Sequence, residues 1–118
     1  MKNVLIVDDE EAAQRAWART LQRRDVRALT ALTIAEARRL FVDNPDVDAI
    51  VMDGNMGGDI TTDLVVEMRR TYRGPIIANS GCSDSQEELI AAGCDHRADK
   101  TAMMSTLLPI LGVREVVP

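Results

Sequence analysis

The sequence predicts an α/β fold, a three-layer, doubly wound arrangement in which a five-stranded parallel sheet lies between two layers made by five helices. Three observations predict it. Short apolar runs alternate with helical patterns along the chain, as expected of successive βα units. The runs VLIV, DAIVMD and PIIANS lack strict polar alternation, as strands covered on both faces do. The 118 residues, taken as one domain over 1–118, are enough for a core without disulfide or zinc staples.

The elements follow in order. The first strand covers Val4 to Val7 and stops on the acidic run Asp8, Asp9, Glu10, Glu11. Asp9 is expected to cap the next helix, whose first turn then carries Glu10 and Glu11. Ala13, Ala16, Trp17 and Leu21 form the apolar face of that helix, and Arg15, Arg19 and Arg23 form a solvated basic stripe. A weaker second strand lies near Arg27 to Ala31. TIAE, Thr33 to Glu36, has the pattern of a capping box and opens a helix through Val42. The third strand ends on Asp53, and the glycine-rich loop GNMGGD follows it. A third helix is expected from Ile60 to Tyr72 with Ile60, Leu64 and Met68 inward. The fourth strand ends at Ser80, Ser83 with Gln86 caps a short helix that stops at Gly93, and a fifth strand ends near Lys100. In the last helix Met104, Leu107, Leu108 and Leu111 point inward. Pro109 removes one hydrogen bond there, so a kink or an early end is expected.

Composition narrows the function. Asp and Glu number 19 against 14 Lys and Arg, a net charge of −5, which argues against direct nucleic-acid binding. No apolar stretch approaches the ~20 residues of a membrane span, and the N-terminus reaches Asp8 too soon for a signal peptide, so a cytoplasmic protein is expected. Cys82 and Cys94 fit that compartment as free thiols. His96 has no second ligand at metal spacing.

In an open parallel sheet, functional groups gather at the carboxyl ends of strands where the strand order reverses. There the sequence offers Asp8 and Asp9 after strand one, Asp53 after strand three, Ser80 after strand four and Lys100 after strand five. Three carboxylates suit a hard cation such as Mg²⁺. A cation also accounts for like charges packed at the end of a buried strand. A hydroxyl and an ammonium opposite them suit the oxygens of a phosphoryl group.

This constellation resembles the receiver domain of two-component response regulators over nearly the whole chain. The resemblance implies a flavodoxin-like fold with strand order 2-1-3-4-5. It implies Asp53 as phosphoacceptor, Asp8 and Asp9 as metal-binding acids, the backbone carbonyl of Asn55 as a further metal ligand, Ser80 as switch hydroxyl and Lys100 as phosphoryl contact. The implied partners are Mg²⁺, a sensor histidine kinase or phosphotransfer protein, and a downstream protein target or output domain, the receiver itself being a monomer or weak dimer. Such a domain catalyses its own phosphorylation and dephosphorylation and is not a metabolic enzyme.

Three features depart from the family pattern. Gly57 and Gly58 follow Met56 where proline is usual, so a more mobile loop is expected. Thr101 follows Lys100 where the family has a cis proline. A cis bond before a non-proline costs about 2.5–4 kcal/mol, so a trans bond with a displaced Lys100, or local strain, is expected. Arg97 stands where an aromatic switch residue is usual. These departures favour, as an alternative, a pseudo-receiver that binds partners without phosphorylation. A haloacid-dehalogenase-type phosphohydrolase would need a second aspartate at position 55, which is Asn.

Overall fold

A computed structural model describes residues 1–114. Its main sheet has five parallel strands, β1 (Lys2–Val7), β2 (Val26–Ala31), β3 (Ala49–Met52), β6 (Ile76–Asn79) and β7 (His96–Ala98), in the order β2-β1-β3-β6-β7. With the short hairpin β4 (Asn55–Met56) and β5 (Asp59–Ile60) set aside, this is the expected order 2-1-3-4-5. The helices are α1 (Glu11–Gln22), α2 (Ile34–Asp43), α3 (Thr62–Arg69), α4 (Ser83–Ala92) and α5 (Met103–Leu111). None is long and apolar enough to cross a membrane.

Strand alternation divides the core in two. Leu5, Val7, Ile50, Met52, Ile76 and Ala78 face α2, α3 and α4, where Ala37, Leu64, Met68 and Leu89 close the layer. Val4, Ile6, Val51, Ile77 and Ala98 face α1 and α5, meeting Leu21, Met103, Leu107 and Leu111. Strands buried on both faces read as unbroken apolar runs, which is why β1, β3 and β6 were legible. Truncating a fully buried leucine such as Leu64 or Leu107 in layers this dense costs about 2–5 kcal/mol.

Several local expectations are corrected. Glu10, not Asp9, is the N-cap of α1, and its N–H donates to Asp8 Oδ1 at 2.9 Å. Ala16 is exposed; the buried stripe of α1 runs instead through Gln14 and Leu21, with Trp17 half-buried between them. α3 starts later and ends earlier than its pattern suggests, and Ile60 is 62 % exposed because the 55–60 hairpin takes it out of the helix. Tyr72 is buried beyond the helix end, donating its hydroxyl to Val47 O at 3.0 Å. No side chain caps α4: Gln86 is turned toward strand ends, while the Thr33 capping bond on α2 forms as expected, from Glu36 N at 3.1 Å. On α5 Met103 is buried and Met104 only partly so. The helix passes through exposed Pro109 to Leu111 and ends at left-handed Gly112, since the carbonyl that proline leaves unpaired, that of Ser105, lies on the exposed side.

The loop after β3 is the largest departure. Gly57 and Gly58 have φ of +62° and +97°, the two positive values that a tight two-residue hairpin turn requires. The glycines therefore build a two-residue hairpin turn.

Candidate functional site

The chain leaves β1 for β2 on one side and reaches β3 on the other, so the strand order reverses between β1 and β3. Asp8 and Asp53 follow these two strands directly and face each other across that point. Asp8 is 1 % exposed; its backbone N–H donates to Ala31 O at 3.1 Å. Asp9 is exposed, and its Oδ2 accepts the Gly57 N–H at 2.9 Å, which ties the hairpin turn to the acidic pair. Carboxylate oxygens of Asp8, Asp9 and Asp53 lie within 4.8 Å of one another.

Lys100 enters from the far side of the sheet. Its ammonium donates to Asp8 Oδ2 and lies 3.4 Å from Asp53 Oδ2. It also sits 6.0 Å from the Trp17 ring centroid, so the half-buried tryptophan forms one wall beside it. Burial pushes the Asp53 carboxyl above its usual range, Lys100 pulls it down, and the Asp8 charge pushes it up again. A carboxyl held in this way depends on nearby positive charge to stay ionised.

The peptide bond before Thr101 is trans, as none of the described bonds is cis. The expected displacement of Lys100 is nevertheless absent. The Asp99 carboxylate replaces the missing proline as the turn-forming group: Oδ1 accepts from Thr101 Oγ1 at 2.7 Å, Ala102 N at 2.9 Å and Thr101 N at 3.1 Å. These bonds hold the Asp99 carboxyl below its usual range, with the Thr101 hydroxyl the main cause.

Ser80 is buried at the end of β6, and its Oγ accepts the Cys82 N–H at 3.2 Å. Arg97 is exposed on β7, so no side chain at that position packs inward. Asn55 opens β4 with an exposed side chain whose Oδ1 accepts from Gly58 N at 2.8 Å.

Three supporting contacts escaped the sequence analysis. Gln14 Nε2 donates to Ile6 O at 2.8 Å and to the carbonyls of Asp8 and Ala31, both at 3.1 Å, so α1 is tied to the ends of β1 and β2. Buried Thr61 donates its hydroxyl to Asp53 O at 2.5 Å. Gln86 Nε2 donates to Ser80 O at 2.6 Å and Ala98 O at 3.2 Å. Gln14 stands at helical spacing from Trp17 and Leu21, Gln86 stood in a capping pattern with Ser83 that does not form, and Thr61 left no trace in the sequence.

Residues 4–110 match the response regulator receiver domain family. The chain belongs to that family. Solved structures agree on the receiver fold. A two-component response regulator from Clostridium difficile superposes with a TM-score of 0.84 at 17 % identity, covering 95 % of this chain and 97 % of that one. The Vibrio cholerae chemotaxis protein CheY4 gives 0.79 at 24 % identity, over 93 % and 98 % of the two chains. A Burkholderia pseudomallei response regulator, solved with a phosphorylated aspartic acid, calcium ion and citrate, gives 0.82 at 24 % identity, covering 94 % of this receiver and 66 % of that chain. No curated protein matches the sequence.

Proposed function

We propose that residues 1–118 act as a single phosphorylatable receiver in the cytoplasm, in which Asp53 accepts a phosphoryl group from the phosphohistidine of a sensor kinase or phosphotransfer protein. The observation that carries this reading is the meeting of Asp8, Asp9 and Asp53 with the Lys100 ammonium at the point of strand reversal. A carboxylate oxygen of Asp53 attacks phosphorus as the phosphorus–nitrogen bond to histidine breaks, and the imidazole leaves with the bonding pair. Lys100 offsets charge gathering on the phosphoryl oxygens. Water then hydrolyses the acyl phosphate and restores the carboxylate. Ser80 turns its hydroxyl toward the phosphoryl group, and a downstream protein that distinguishes the two states reads the change.

Hard oxygen donors clustered this closely fit Mg²⁺, with Asp8, Asp9, Asp53 and the Asn55 backbone carbonyl as its ligands. Bound there, Mg²⁺ supplies the positive charge that lets an anionic nucleophile meet an anionic phosphoryl group. The Burkholderia pseudomallei neighbour, with its phosphorylated aspartic acid and calcium ion, supports the pairing of the two chemistries. Retention of Lys100 beside both aspartates counts against a receiver that has given up phosphorylation.

Thermal unfolding tests the proposal. Mg²⁺ with beryllofluoride, a phosphoryl mimic, is expected to raise the melting temperature of the wild type, and beryllofluoride to add nothing in Asp53→Asn. A folded wild type that responds to neither reagent would move the function to phosphorylation-independent partner binding.

A further inference from the structure

Asn79 is the last residue of β6, a strand otherwise made of Ile76, Ile77 and Ala78. It is 0 % exposed, and neither its Nδ2 nor its Oδ1 has a hydrogen-bond partner. An amide buried without partners is unfavourable, and a valine or leucine in its place would not be. Such a group needs a reason.

Register supplies its surroundings. Met52 pairs with Ala78 and Val7 pairs with Met52, so Asp8, Asp53 and Asn79 each stand one residue beyond a paired position on adjacent strands. Asn79 itself pairs with Ala98. Alternation from Ile77 turns Asn79 to the α1/α5 face, the face on which Ala98 lies and to which alternation from Ile6 and Val51 also turns Asp8 and Asp53. One row across the sheet therefore reads Asp8, Asp53, Asn79, Ala98, with strands about 4.8 Å apart. Lys100 follows β7, and to reach Asp53 and Asp8 it crosses the end of β6, where Asn79 sits.

The lysine ammonium now neutralises the two aspartates that the proposed function assigns to a divalent cation. A cation on those carboxylates repels the ammonium and removes its acceptor on Asp8. Among the described residues only two buried side-chain oxygens lack partners, Gln14 Oε1 and Asn79 Oδ1. Gln14 lies over the ends of β1 and β2, whereas Asn79 lies on the lysine's own path.

We propose that Asn79 is a positioning residue for Lys100, its amide oxygen holding the displaced ammonium beside Asp53 while the carboxylates hold the cation. The inference rests on the metal reading given above and assigns Asn79 a role within it. The unpaired amide oxygen is then a feature of the metal-free state alone.

The test is a double-mutant cycle in Mg²⁺ affinity, measured by calorimetry with Mg²⁺ alone and followed in parallel by fluorescence of Trp17, the single tryptophan. Asn79→Leu is expected to weaken Mg²⁺ binding about tenfold, the equivalent of one hydrogen bond to a charged group. In a Lys100→Met background, with no ammonium to hold, the same substitution is expected to change nothing. Asn79→Ala carries the identical comparison if leucine does not fit. An equal effect with and without Lys100, or no effect in either, overturns the proposal and leaves the metal reading standing. A wild type that binds no Mg²⁺ removes both.

Discussion

Lys100 keeps its place without the proline that usually follows such a lysine, because Asp99 and Thr101 make the turn from side-chain and backbone hydrogen bonds. Asp8, Asp9, Asp53 and Ser80 were legible because each falls directly or within two residues after an apolar run, a position that sequence alone reveals. Lys100 follows the polar strand His96–Ala98 and was placed by its order along the chain. Thr61, Gln86 and Asn79 were not legible, because a hydroxyl or amide acquires its meaning from which strand end folds beside it. The two cysteines differ in the same way. Cys82 is exposed, whereas burial pushes the Cys94 thiol up to about 12. The sign follows from linkage. Below the ordinary thiol value both folded and unfolded chains keep the proton, and stability is complete. As pH rises from there toward 12 only the unfolded chain ionises, so stability falls by up to about 1.4 kcal/mol per pH unit from this group. Tyr72, also raised by burial, adds in the same direction at higher pH. Denaturant unfolding between pH 8 and 10.5 is expected to show this loss, and Cys94→Ala to flatten it; an unchanged slope in the variant would assign the loss elsewhere.

At the scale of elements, the hairpin and the first turn of α4 decide the shape of the site. The hairpin was missed because glycines signal freedom in a sequence, and only the strand ends around them turn that freedom into a type of turn. α4 meets three strand ends at once. Gln86 holds the carbonyls of Ser80 and Ala98, and Ser85 lies over Gly54, directly after Asp53. A β-carbon on Gly54 would fall 2.0 Å from Ser85 Oγ and 3.3 Å from Ser85 Cβ. Gly54→Ala therefore forces the Ser85 hydroxyl out of its rotamer and asks α4 to give slightly, and is expected to cost roughly 1–3 kcal/mol in chemical denaturation. Adding Ser85→Ala removes the hydroxyl and is expected to restore most of that loss. Failure of the second substitution to rescue the first would mean that α4 is not seated on Gly54.

At the scale of the whole molecule, one sheet carries two apolar layers and leaves its carboxyl-terminal edge for chemistry. The layers were readable from unbroken apolar strands, while the strand order came from resemblance and is matched by the observed order. With no curated relative matching the sequence, function rests on what the edge can do: three carboxylates, one ammonium and one hydroxyl at strand ends. The most direct measurement is intact mass after incubation with Mg²⁺ and acetyl phosphate, beside an Asp53→Asn control. One added phosphoryl group on the wild type, absent from the control and from a magnesium-free sample, is the predicted result. A folded wild type that gains no mass, or a control that gains the same mass, would contradict Asp53 as the phosphoacceptor.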